Sequence, residues 1–72
     1  MDYSKLSARI VEKYGRATKF AEAMGMTDST MSQRLRGTSP WKVPEIVKAA
    51  RLLDIKRKDI VEFFLPKELK EQ

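Results

Sequence analysis

The chain contains no cysteine and no histidine. Without thiols it has no disulfide, no zinc–thiolate site and no cysteine nucleophile. Without imidazole the commonest general base and the commonest metal ligand are missing too. Asp28, Asp54 and Asp59 form no evident metal or acid–base constellation in the sequence, so neither an enzyme nor a metal or cofactor site is expected. No apolar run approaches the roughly 20 residues of a membrane span. The N-terminal segment carries Asp2, Lys5, Arg9, Glu12 and Lys13, which interrupt the apolar core that a signal peptide needs. These absences lead us to expect a soluble, cytoplasmic protein. Linkers, repeats, low-complexity tracts and strand-like alternation are also missing.

What is present describes one small domain. Seventy-two residues suffice for a single compact unit, and a hydrophobic share of 42% excludes a disordered chain. With no disulfide or metal to staple it, such a domain must rely on efficient helix packing. The net charge of +5 and a pI near 9.8 fit either plain solubility or attraction to nucleic acid. The basic residues are spread along the chain and do not form a polybasic arm.

Apolar residues recur at helical spacing throughout. Tyr3, Leu6, Ile10 and Tyr14 form a stripe over 3–14, widened by Val11, with Asp2 as the expected N-cap and Gly15 as the stop. A second helix is expected over 17–24, with Phe20, Ala21 and Met24 inward; the small Ala21 permits a close helix crossing. Gly25 suits a left-handed turn, Met26 tucks back into the core, and Thr27 caps a third helix over 28–36 that Gly37 ends. Pro44 opens a fourth helix with Ile46, Val47, Ala50 and Leu53 buried and Glu45, Lys48 and Arg51 toward water. Asp54 stands where a helix-ending Gly is usual, and Ile55 returns to the core. A short fifth helix covers 57–64, with Ile60 and Phe64 inward. Lys56, Arg57 and Lys58 read best as a solvated loop. Phe63, Phe64 and Leu65 together exceed what so small a core needs, so they are candidate dimer contacts. The domain is expected over 1–65, followed by a polar tail over 66–72.

The most informative stretch is 18–37, TKFAEAMGMTDSTMSQRLRG. Ser29, Ser32, Gln33 and Arg36 fall on one side of the third helix, with Met31 and Leu35 toward the other. Two serines, only moderate helix formers, and the lack of Glu–Lys pairs are unusual for a merely solvated face. Small hydrogen-bonding side chains suit the edges of base pairs. The loop 38–42 offers two hydroxyls and an ammonium, groups that satisfy phosphate oxygens. Trp41, beside Pro40, is expected to pack over the core edge.

This order of five helices, with FAEAMGMTDSTMSQRLRG as the second and third, resembles the lambda-repressor-like, Cro/cI-type (XRE) helix-turn-helix family. The resemblance spans about 3–64, and rests on Ala21, Gly25, Met31 and Gly37 followed by a Pro-containing loop and an apolar helix. DYSKLSARIVEKYG and SPWKVPEIVKAARLLDI further resemble small phage or prophage repressor-like members. It implies an all-α fold with a helix-turn-helix at helices two and three. It also implies a transcriptional regulator, more often a repressor, that binds operator double-stranded DNA as a homodimer in a bacterial or phage-infected cell. Asp28, Ser29, Ser32 and Gln33 then approach base edges, Gln33 pairing bidentately with adenine. Thr18, Lys19, Arg36, Thr38, Ser39 and Lys42 approach phosphates. Arg34 departs from the family's usual apolar residue and is expected to snorkel toward a phosphate. The long C-terminal protease-like domain of some phage repressors has no counterpart in the sequence, so their self-cleavage is not expected. The other reading is a protein-interaction module on the same fold, such as an antitoxin, using 63–65 as its interface.

Overall fold

The structure, a computed structural model, describes residues 3–64. Asp2, Leu65 and the tail 66–72 lie outside the described residues. Five helices follow in order: α1 (Ser4–Tyr14), α2 (Ala17–Met24), α3 (Asp28–Arg36), α4 (Val43–Leu52) and α5 (Ile60–Phe64). One 3-10 turn, Arg57–Asp59, leads into α5 where an unbroken fifth helix was expected. No strand occurs among the described residues. The fold is all-α.

The bounds of α2 and α3 are those the sequence implies, because each end carries local chemistry that stops it. Gly25 sits at φ 76°, a left-handed conformation that opposes side chains bearing a Cβ, and its N–H closes the last turn of α2. Thr27 Oγ1 accepts the Thr30 N–H at 3.1 Å, satisfying one of the donors that the first turn of α3 leaves open. Ala21 is fully buried on the α2 face, and α2 packs against α1, α3 and α4.

The core is continuous from Leu6 and Ile10 of α1 through Phe20, Ala21 and Met31 to Ala49, Leu53 and Phe64. Two residues read as part of the buried stripes are not. Val11 follows Ile10 by about 100° around the helix and is 58% exposed. Val47 is 54% exposed; Ala49 takes its place, completing the i, i+3, i+4, i+7 pattern with Ile46, Ala50 and Leu53. Pro44 occupies the second position of α4, behind Val43.

Phe63 and Phe64 are not a surplus. Both are buried within the chain, at 6% and 2% exposure. The Phe64 ring meets Trp41 edge-on at 5.2 Å between centroids, and Arg9 and Lys5 lie over Phe63. With those rings spent inside the domain, Phe63 and Phe64 are not exposed dimer contacts; the third residue of that expectation, Leu65, lies outside the described residues. The end of α4 is tied to α1: Arg9 donates to the Leu53 carbonyl at 2.8 Å and Lys13 to the Asp54 carboxylate at 2.9 Å. Asp54 takes φ 56°, the left-handed position usually left to glycine. No helix of the described residues is long and apolar enough to cross a membrane.

Candidate functional site

The outward face of α3 is built by elimination. Successive residues turn by about 100°, so Met31, Arg34 and Leu35 share the inward arc while Asp28, Ser29, Ser32, Gln33 and Arg36 share the outward one. Met31 is 1% exposed, whereas Asp28, Ser29, Gln33 and Arg36 are exposed and Ser32 is half-buried. The face therefore carries hydroxyls, one carboxamide, an acid at its N-terminal end and a guanidinium at its C-terminal end. Asp28 and Arg36 stand eight residues apart, about 12 Å along the axis.

A cleft of about 500 Å³ runs beside this face. Its polar lining comes from Asp28, Ser32 and Arg36 of α3, Thr18 at the start of α2 and Ser7 of α1, and its apolar lining from Ala17, Met31 and Leu35. Thr18, Ser32 and Arg36 are thus brought together. Lys19 is exposed one residue on, in the first turn of α2. The cleft's apolar lining was missed from the sequence. The sequence turns Leu35 toward the core, and it is partly buried against it, yet its position on the helix lies between the buried arc and Asp28–Ser32.

Past Gly37, whose N–H donates to the Arg34 carbonyl at 3.3 Å, the loop 38–42 is tied back to α3 through Gln33. Its carbonyl accepts the Thr38 N–H at 3.1 Å and the Thr38 hydroxyl at 3.2 Å. Its side-chain Oε1 accepts the Ser39 hydroxyl at 3.2 Å. Thr38 and Ser39, assigned to phosphates from the sequence, therefore already spend their hydroxyl protons on Gln33. Lys42 keeps its ammonium exposed, and no ion pair engages it, Lys19 or Arg36 among the described residues. Trp41 packs inward as expected, 8% exposed, with its indole N–H lacking a partner among the described residues.

Arg34 corrects the sequence reading most sharply. It does not reach out toward a phosphate. Its Nε and a terminal nitrogen donate to the two carboxylate oxygens of Glu45 at 2.9 and 3.0 Å. Glu45, expected to face water, also accepts the Lys42 backbone N–H at 2.9 Å, so one carboxylate ties α3 to α4 and caps the start of α4. The hydrogen bond from Arg34 holds the Glu45 carboxyl below its ordinary pKa, helped by the Lys42 N–H and opposed by partial burial; the same bond raises Arg34. The signal was available: a guanidinium on the inward arc of α3 calls for a carboxylate on a neighbouring element. Among the described residues no group of acids is placed to hold a metal ion.

A family model described as "Protein of unknown function (DUF739)" matches residues 1–67. The chain belongs to that family. No curated protein sequence matches it. Among solved structures it is similar to the solution structure of the modulator of repression (MOR) of the temperate bacteriophage TP901-1 from Lactococcus lactis. The TM-score is 0.79 and the identity 41%, over 88% of this chain and 85% of that one. This member of the family is thus a small all-α relative of a phage regulatory protein. Neither finding names the lambda-repressor-like group, whose resemblance rests on the residues alone.

Proposed function

We propose that the protein regulates a phage's transcription by reading double-stranded operator DNA with α3, acting as a dimer on the DNA. The observation that supports this most is the outward arc of α3. It is polar, exposed and flanked by the unpaired cations Lys19, Arg36 and Lys42, a pattern suited to base edges between two phosphate backbones. A single α3 reads only a few base pairs, which is why a second copy is required for useful specificity. The modulator of repression to which the chain is similar is named for an action on repression, which agrees with a regulatory role here.

The test separates base reading from phosphate binding. Gln33→Ala should lower the preference for a selected operator over random duplex by roughly tenfold or more, measured by competition binding. Equal weakening on both DNAs would remove Gln33 from base reading. Lys42→Ala should weaken both and flatten the salt dependence by about one unit of slope.

A second reading, contact with a repressor protein, is favoured by the apolar lining of the cleft beside α3 and by Asp28 in its polar lining. A carboxylate is poorly placed against phosphates but suits a cation on a protein partner. Asp28→Lys discriminates. If α3 meets DNA, the reversal should tighten duplex binding and steepen its salt slope. If α3 meets a repressor, the variant should lose co-elution with that repressor in gel filtration and leave DNA retention unchanged.

A further inference from the structure

We infer that Ser39 is a specificity-determining residue: by holding the oxygen of the Gln33 carboxamide, it makes Gln33 a donor to base edges. This rests on the DNA reading of α3. A glutamine pairs bidentately with adenine only when its oxygen and its nitrogen both face the base, one accepting from the exocyclic amine and the other donating to the ring nitrogen. Here Oε1 is turned toward the loop and accepts the Ser39 hydroxyl at 3.2 Å. The amide oxygen and nitrogen diverge from the same carbon, so fixing the oxygen on the loop side directs the nitrogen, with its two protons, away from it. Two donors and no free-facing acceptor match a base edge that carries acceptors alone. In the major groove that edge is guanine, with its N7 and O6.

The loop is well placed to impose this. Thr38 anchors it twice to the Gln33 carbonyl, at 3.1 Å through its N–H and 3.2 Å through its hydroxyl. The Ser39 N–H reaches the same carbonyl at 3.4 Å, and Gly37 supplies the left-handed turn that brings the chain back, at φ 80°. The Ser39 side chain is therefore delivered to the Gln33 amide by backbone bonds that do not depend on DNA. Pro40 follows and restricts Ser39 to extended backbone. In this arrangement Ser39 acts through Gln33 and not as a phosphate contact.

Selection of bound duplexes from a random pool, using the full chain, tests the assignment. The wild type should enrich a position occupied by guanine whose preference disappears in Gln33→Ala. Ser39→Ala frees the amide and should cut the guanine-over-adenine preference at that position by about tenfold, while leaving the other positions and the thermal melt unchanged. Ser39→Thr, which keeps the hydroxyl, should retain the wild-type preference. An adenine at the Gln33-dependent position in the wild type overturns the inference. So does an unaltered preference in Ser39→Ala, or a uniform loss of affinity across all sequences, which marks a phosphate contact. A wild type that enriches no duplex refutes the DNA reading of α3 itself, and this inference with it.

Discussion

Glu45→Ala should cost about 2 kcal/mol of stability, between the roughly 1 kcal/mol of an exposed ion pair and the roughly 3–5 kcal/mol lost when one member of a fully buried pair is removed. The pair is not a surface ornament: the Arg34 side chain is only 11% exposed and that of Glu45 20%. An exposed pair contributes at most about 1 kcal/mol. The asymmetry arises from what remains. With the carboxylate gone, the Arg34 guanidinium stays on the inward arc of α3 with no partner to offset its desolvation, and the Lys42 N–H at the start of α4 loses its acceptor. Chemical denaturation followed by circular dichroism gives the number. Replacing both partners, Arg34→Met with Glu45→Leu, should recover most of the loss, because an apolar pair needs no mutual charge compensation. A double variant as unstable as Glu45→Ala would show that the cost comes from the missing α4 cap and not from the stranded charge.

The same pair sets a direction for pH. The folded-state pKa of Glu45 is depressed, so its contribution is fully present above the unfolded carboxyl value, about 4.3, and is lost as pH falls through the lower folded value. The wild type should therefore lose stability progressively in acid, and the doubly apolar variant should lose less over that window. Asp54, lowered by its hydrogen bond to Lys13, titrates in the same sense but is fully exposed to screening.

Phe20→Ala should remove about 4 kcal/mol and lower the thermal midpoint sharply. Phe20 is fully buried where α2 meets α1, and its ring lies 5.2 Å from that of Tyr14, centroid to centroid. Truncation loses the transfer energy of the ring, the aromatic contact and the packing around the void. A chain of 72 residues holds only about 4–11 kcal/mol in total at the usual 0.05–0.15 kcal/mol per residue, so the loss is a large share of the whole. Phe20→Leu, which keeps most of the volume, should cost less than half as much. A Phe20→Ala protein that melts cooperatively within a few degrees of the wild type would mean that α1 and α2 close over the gap, contrary to the close packing seen around Ala21.

The two effects were not equally visible before the structure was known. Phe20 stands in a periodic stripe, and periodicity alone marks it as core. The importance of Glu45 depends on a partner eleven residues away. Taken as an isolated residue at the start of α4, it looks like any acid complementing a helix dipole. Arg34 was the clue, but its helical angle had to be taken more seriously than its charge. The candidate site divides in the same way. The outward arc of α3 follows from the spacing of Ser29, Ser32, Gln33 and Arg36. That Thr38 and Ser39 bond to Gln33 follows from how the loop folds back after Gly37, which no spacing rule contains.

By itself the sequence determined the all-α class, the bounds of α2 and α3 and the inward placement of Phe20, Ala21, Met24 and Met31. These follow from local rules: a left-handed glycine, a threonine cap and a 3.6-residue period act within one or two turns. Tertiary structure alone decided that Phe63 joins Phe64, which the helical spacing already turns inward, in this domain's own core. It also decided that Val11 and Val47 stay in water, that Arg34 turns inward to Glu45, and that the Gln33 amide is already occupied on one side. Each of these depends on which distant element arrives to cover a surface or satisfy a polar atom. Burial and hydrogen-bond partnership are properties of that arrival, and the chain's local pattern does not encode them residue by residue.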